Sequence, residues 1–441
     1  MHALTRAVAD TELIARAGHV VAVRGHIVES TGPAAQIGER CRIETSPTQS
    51  IDAEVVGFNR GIAVLMPLGG VEGISLGERV VALGRLPDVP VGRQLLGRVV
   101  DAFGQAADDG AALDIAERRA LRARAPRAMQ RQRVNTPLET GVKVIDSMLT
   151  LARGQRVGLF AGSGVGKSTL MGMLARSARS TVNVIALIGE RSREVREFVE
   201  DQLGAEGLSR SVVVVATPDE TAVVRSRAAY AATTIAEYFR DQGEDVLLMM
   251  DSLTRFAMAR REIGLAVGEP PTARGYTPSV FSELPQLCER SGPGAGVGSI
   301  TGVYTVLVDG DDMNEPVSDT LRATLDGHIV LSRDIANAGQ YPAVDVLQSV
   351  SRLHTKISQP ADVACARNVL ASCALYERNR QLIEIGAYKP GVNPTLDRTV
   401  QSMSRVRSFF SQATEQKIPR ADSLAQLKAL SASLGGGNEI Q

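Results

Sequence analysis

The run Ala161-Gly162-Ser163-Gly164-Val165-Gly166-Lys167-Ser168-Thr169 follows an apolar, strand-like segment at 156–160 and opens a segment of helical pattern at 168–176. No other feature constrains the chain so tightly. Glycines at this spacing let backbone N–H groups turn inward, and the helix that follows adds the partial positive charge of its N-terminus. A strand, a glycine-rich turn and a helix in that order make a phosphate cradle. Lys167 is placed to reach the β- and γ-phosphates of a nucleoside triphosphate, and the Ser168 hydroxyl to reach a magnesium ion. The first position is Ala161 where the basic pattern has glycine, so the turn is expected to differ slightly.

Such a strand needs a sheet around it. Between about 142 and 350, strand-like runs at 156–160, 182–188, 212–216, 245–250, 299–308 and 328–331 alternate with helical stretches at 168–176, 192–202, 221–242 and 253–263. This alternation predicts an α/β domain with a parallel sheet covered on both faces. Upstream, short β segments at 19–23, 26–29, 41–44, 53–58 and 61–66 are punctuated by Gly, Pro and Asn, as in a small barrel. Downstream of Arg352 the strands stop, and 363–385 and 396–412 carry helix-period apolar positions. The expected organisation is a segment at 1–17 that is either a docking helix or a frayed terminus, a β-barrel at 18–90, a nucleotide-binding domain at 91–352 and a helical domain at 353–441, its last residues (435–441) disordered. A length of 441 residues suits two or three domains.

Seven arginines fall between Arg118 and Arg133. No aromatic residue is interleaved for base stacking, and the formal net charge of the chain is zero, so nucleic acid is not expected as a partner. An arm wrapping the next domain is the expectation for 104–137. No apolar run has the length to span a bilayer, and the N-terminus has no continuous apolar stretch of the kind that directs secretion. Cys41, Cys288, Cys365 and Cys373 show no metal-ligand spacing, which suits reduced thiols in a cytoplasmic protein.

Two further strand ends carry candidate chemistry. The run 246–250 ends in Asp251, suited to hold Mg²⁺ beside the phosphates; the bland alternative is a cap for the helix at 253–263. The run 182–188 leads into Gly189-Glu190-Arg191, on the same sheet edge, where ligands bind in such sheets. Glu190 is suited to polarise an attacking water and Arg191 to face the γ-phosphate; the bland alternative for each, taken in isolation, is a surface charge.

The run Pro342-Ala343-Val344-Asp345-Val346-Leu347-Gln348-Ser349-Val350-Ser351 resembles the signature of the rotary ATP synthase α/β family. With the glycine-rich turn, Gly189-Glu190-Arg191 and the stretch 248–255, the resemblance covers the central region, and the flanking domains fit that family's three-domain subunits. Within it, several stretches are most similar to the flagellar and type III secretion export ATPases. They are 188–198, Ile235-Ala236-Glu237-Tyr238-Phe239-Arg240-Asp241-Gln242-Gly243, 308–316 and Leu325-Asp326-Gly327-His328-Ile329-Val330-Leu331-Ser332-Arg333. Ser192, at a position often glycine in these proteins, is a small departure.

The resemblance implies a RecA-like central domain that hydrolyses ATP with Mg²⁺. Glu190 matches the glutamate that activates water, with Arg191 beside it. Arg255 matches a γ-phosphate-sensing arginine, Tyr341 the aromatic that stacks on adenine, and Arg352 an arginine finger reaching a neighbouring subunit's nucleotide. It further implies a cytoplasmic homohexamer, peripheral at a membrane export gate, with a negative regulator, stalk-like proteins, secretion substrates and their chaperones as partners. The flagellar pathway is favoured over the injectisome. A synthase catalytic subunit, a ring-shaped RNA translocase and a purely structural nucleotide-binding subunit are the remaining rivals.

Overall fold

The computed structural model describes residues 17–435 apart from 309 and 311. The proposed docking helix at 1–17 therefore lies outside the described residues except for Ala17, and the terminal segment 435–441 except for Gly435.

Six strands close a barrel: β1 (Ala17–Arg24), β2 (Ile27–Ser30), β3 (Arg40–Glu44), β4 (Ser50–Asn59), β5 (Ile62–Pro67) and β6 (Arg79–Ala82), in the order β1-β2-β5-β4-β3-β6. Alternating burial along β1 to β4 sends Val20, Val28, Cys41, Ile43, Ala53 and Val55 inward, the period-2 pattern of a barrel filled by side chains. Closure removes the exposed sheet edges. β6 was not among the sequence expectations, because Arg79-Val80-Val81-Ala82 is a short run with one clearly inward residue, Val80.

Downstream come β7 (Asp88–Pro90), β8 (Arg98–Val100) and β9 (Arg118–Ala120), then β10 (Arg156–Ala161), β11 (Val182–Ile188), β12 (Ser211–Ala216), β13 (Asp245–Asp251), β14 (Gly292–Pro293), β15 (Ser299–Leu307), β16 (Gly327–Leu331) and β17 (Val350–Ser351). The large sheet runs β17-β16-β10-β15-β13-β11-β12-β8 and is parallel except for β17 and β14. β11 is buried at all seven positions and β15 at eight of nine, as strands covered on both faces must be. Side chains from the two faces of the sheet fall into separate cores, one containing Phe239, Phe256 and Tyr304, the other Leu159, Met171 and Met249.

The arginine-rich arm is fixed to this domain. Arg119 pairs with Asp241 at 2.8 Å and lies over the Tyr238 ring, and Arg131 donates to the Ser291 carbonyl at 2.7 Å. Arg290 donates both to Glu237 (2.9 and 2.6 Å) and to the Leu121 carbonyl of the arm, with both charged side chains buried. Removing one partner of such a pair strands a buried charge at about 3–5 kcal/mol, so the arm is held firmly. The barrel meets the same domain where Arg227 approaches Glu54 at 3.9 Å and stacks on Phe103.

The C-terminal region is three helices, Pro360–Glu384, Pro394–Phe410 and Arg420–Ser433. The third was not among the sequence expectations. Helices Pro360–Glu384 and Pro394–Phe410 begin with Pro at the first position, where its missing N–H costs nothing.

Candidate active site

The carboxyl ends of β10, β11 and β13 lie on one edge of the sheet and deliver three functional segments together. Ala161 ends β10 and the glycine-rich turn follows. Gly164 and Gly166 have φ of 77° and 92°, a region that L side chains rarely adopt, which is the reason for glycine here. Val165, buried, anchors the turn, and the helix Lys167–Ser177 starts at once. Ala161 itself is buried and in strand register with Leu331 and Leu307, so its methyl group is accommodated as part of the sheet. Ser163, Gly164 and Ser168 are exposed at the mouth of the turn.

Lys167 is the electrostatic centre. Its Nζ lies 2.6 Å from Asp251 Oδ1 and 3.3 Å from Glu190 Oε1, and the three side chains are 12%, 4% and 14% exposed. Burial works against the ammonium charge, but the two carboxylates outweigh it and hold Lys167 above the ordinary lysine range. Glu190 is pushed up to about 7, by burial first and by the Asp251 charge second, with Lys167 opposing both. A carboxyl poised near neutrality can take a proton from water at working pH.

Asp251 does not cap the following helix. The Ser252 hydroxyl does so, accepting from the Arg255 N–H at 3.2 Å, which leaves the Asp251 carboxylate to the site. Its Oδ1 also accepts from Thr305 Oγ1 on β15 at 2.7 Å. Asp251 and Ser168 offer oxygen ligands only. Among the described residues no group of three or more His, Cys, Asp or Glu could hold a metal. A short, hard-oxygen donor set suits Mg²⁺, which keeps waters and takes phosphate oxygens rather than filling its shell from protein. The residues present therefore fit that ion.

Gly189, at φ 67°, brings the chain against Arg255: a Cβ there would stand 3.3 Å from Arg255 Cδ. The buried Arg255 Nε has no hydrogen-bond partner among the described residues, a cationic group suited to an anion beside Glu190. Tyr341 is 49% exposed, and its ring lies 3.7 Å from where a Cβ of Gly166 would be, alongside the phosphate turn.

Two predicted residues stand apart from this cluster. Arg191 is 82% exposed and pairs with Glu194 at 3.5 Å; the structure does not bring it to Lys167. Arg352 follows β17 at the opposite end of β16 from the turn. Ser351 is in register with Gly327, whereas Ala161 is in register with Leu331, and four strand residues separate these levels by roughly 13 Å.

Two residues of the site were missed by sequence reasoning. Thr305 needs the strand order to place β15 between β10 and β13; its only local signal is a hydroxyl within an apolar run. Gln412 binds the helical domain beneath Tyr341: its N–H donates to the Tyr341 carbonyl at 2.9 Å, its Oε1 accepts from the Lys143 N–H at 2.7 Å and its Nε2 donates to the Gly141 carbonyl at 2.8 Å. Nothing local in the sequence marks it.

Comparison with known proteins agrees with this arrangement. Residues 141–351 match the nucleotide-binding domain of the ATP synthase alpha/beta family, residues 20–84 its beta-barrel domain, and residues 358–429 the T3SS EscN ATPase C-terminal domain. The flagellum-specific ATP synthase of Bacillus subtilis is 49% identical over 96% of this chain and 97% of its own length. The assembled ATPase EscN from the type III secretion system of enteropathogenic E. coli superposes with a TM-score of 0.90 at 41% identity, covering 94% of this chain and 100% of that one. EscN in complex with its central stalk EscO gives a TM-score of 0.86 at 40% identity, with the same coverage. With one turn, one lysine and two carboxylates gathered at a sheet edge between a barrel and a helical domain, the chain belongs to the ATP synthase alpha/beta family.

Proposed function

We propose that the chain is the ATP-hydrolysing motor of a type III protein export apparatus, and of the flagellar one in particular. The observation that carries the reading is the cluster in which Lys167, at the head of its phosphate turn, meets Glu190 and Asp251. The flagellar assignment draws on the relative from Bacillus subtilis. The match of residues 358–429 to the EscN C-terminal domain favours a second reading, the injectisome counterpart.

In the proposed reaction the amides of 162–167 and the Lys167 ammonium bind the β- and γ-phosphates of ATP, so Lys167 exchanges carboxylate partners for phosphate. Glu190 then orients water for attack on the γ-phosphorus and accepts its proton, while the bond from that phosphorus to the β–γ bridging oxygen breaks and ADP leaves. Ser168 and Asp251 would hold Mg²⁺, whose charge offsets that of the phosphates. Arg255 contributes positive charge at the γ-phosphate, and Arg352 of a neighbouring copy completes the site. Fixed charges aimed at the developing charge are the main catalytic resource in such transfers. We assign Arg191 no step of its own.

A homohexamer is supported by likeness to the assembled EscN, and the placement of Arg352 at the far end of β16 from its own phosphate turn suits a finger shared between copies. A stalk-like partner follows from the EscO complex. A negative regulator, export substrates with their chaperones, and peripheral contact with a membrane export gate complete the proposed setting in the cytoplasm. Among the described residues no helix is long and apolar enough to cross a membrane.

Deleting the gene in its own organism should abolish flagellar filaments and leave their subunits inside the cell. Retained filaments with lost needle-type secretion would transfer the assignment to the injectisome; loss of neither would end both. The base site has its own test. Tyr341→Ala should weaken ATP binding roughly 5- to 150-fold, the loss of about 1–3 kcal/mol of stacking, with Tyr341→Phe near wild type. An unchanged ATP affinity in the alanine variant would remove Tyr341 from the site.

A further inference from the structure

Asp251 Oδ1 is a shared acceptor. It takes Thr305 Oγ1 at 2.7 Å and Lys167 Nζ at 2.6 Å in a pocket where Thr305 is fully buried. Thr305 sits on β15 among Val303, Tyr304, Val306 and Leu307, all apolar or aromatic. A hydroxyl at such a position costs stability unless it is hydrogen-bonded, and its other contact, the Met250 carbonyl at 3.4 Å, is long. Its chief partner is therefore the aspartate.

The geometry is that of a fixed donor. Thr305 belongs to the strand between the one that ends in the phosphate turn and the one that ends in Asp251; it is in register with Leu159 of β10, and its neighbour Tyr304 is in register with Met250 of β13. A β-branched side chain is stiff at χ1, so the hydroxyl stays where the strand puts it. A carboxylate with one oxygen pinned in this way no longer swings about its terminal torsion, and its second oxygen points in one direction.

We propose that Thr305 is a positioning residue that holds one oxygen of Asp251 so that the other is presented to the divalent ion accompanying ATP. The inference rests on the reading of Asp251 as the metal-side carboxylate. A threonine that served only to satisfy a buried aspartate would affect stability and leave the ion's affinity alone. One that orients the aspartate acts on the ion, and loss of such an outer partner weakens metal affinity by about 10- to 100-fold.

The test uses the full chain with a fluorescent ATP analogue, titrating Mg²⁺ from an EDTA-treated start, and Mn²⁺ binding to the nucleotide complex followed by electron paramagnetic resonance. Thr305→Val keeps the shape and removes the hydroxyl; Thr305→Ala serves if valine unfolds the protein. Either should bind the analogue in EDTA as wild type does and require about tenfold or more additional Mg²⁺ for half-saturation, with Mn²⁺ weakened in parallel. Thr305→Ser, which restores the donor, should return most of that loss. Asp251→Asn should show at least as large a shift. A wild-type Mg²⁺ response in Thr305→Val or Thr305→Ala beside a shifted Asp251→Asn overturns the role of Thr305 alone. An unshifted Asp251→Asn overturns the metal-side reading of Asp251, and this inference with it.

Discussion

Replacing Glu190 with glutamine leaves ATP binding intact and lowers hydrolysis by about 10²–10⁴-fold, the usual contribution of a positioned general base. The amide matches the carboxylate in size and can still accept a hydrogen bond from Lys167, so the geometry at 3.3 Å survives. What it cannot do is take a proton. Burial and the adjacent Asp251 raise Glu190 to about 7, which makes it more basic than an ordinary carboxylate and leaves about half of it ionised, and so able to take a proton from water, near neutral pH. Lys167 has a second carboxylate, Asp251, at 2.6 Å, so loss of the Glu190 charge alone does not free the lysine from its place. Single-turnover hydrolysis measured beside equilibrium binding of ATP separates the two effects. Turnover within a few-fold of wild type, with binding retained, would exclude Glu190 as the group that activates water.

The parts of this site that the sequence made legible are the ones whose geometry is local. Lys167 follows a glycine-rich turn, Asp251 ends an apolar strand and Glu190 lies two residues past another, so one rule about strand ends places all three on the same edge. The α/β core, the barrel and the helical end were legible for a similar reason, since periodicity is a property of short windows. Thr305 and Gln412 were not, because their roles depend on which strands are neighbours and on a helical domain folding back over 200 residues. Arg191 shows the limit of adjacency. Successive residues in extended backbone point to opposite sides, so when Glu190 turns toward Lys167, its neighbour turns out to solvent and pairs with Glu194 at the start of the helix Ser192–Glu197. β6 and the helix Arg420–Ser433 were missed because their own patterns are weak and packing against stronger partners decides them.

Arg352→Ala should lower ATP hydrolysis in the assembled enzyme by about 10³–10⁵-fold, the worth of an arginine finger, and should erase any rise of specific activity with protein concentration. The expectation comes from position. Arg352 stands at the far end of β16 from its own phosphate turn, Nη2 donates to the Arg322 carbonyl at 3.1 Å, and it makes no ion pair among the described residues. A guanidinium left with a neutral acceptor on an exposed edge is available to a phosphate brought by another copy. The decisive measurement mixes two inactive variants. Lys167→Ala destroys the phosphate turn but keeps the finger, and Arg352→Ala keeps the turn but lacks the finger. If the finger acts across the interface, random mixing in equal amounts recreates complete sites at about one interface in four, since a head-to-tail ring pairs each turn with its neighbour's finger. Activity should then return to that order of magnitude, although neither variant has any alone. If the finger acted within its own chain, no mixture could restore a complete site. Mixed assemblies shown to contain both variants and still inactive would therefore refute the shared site.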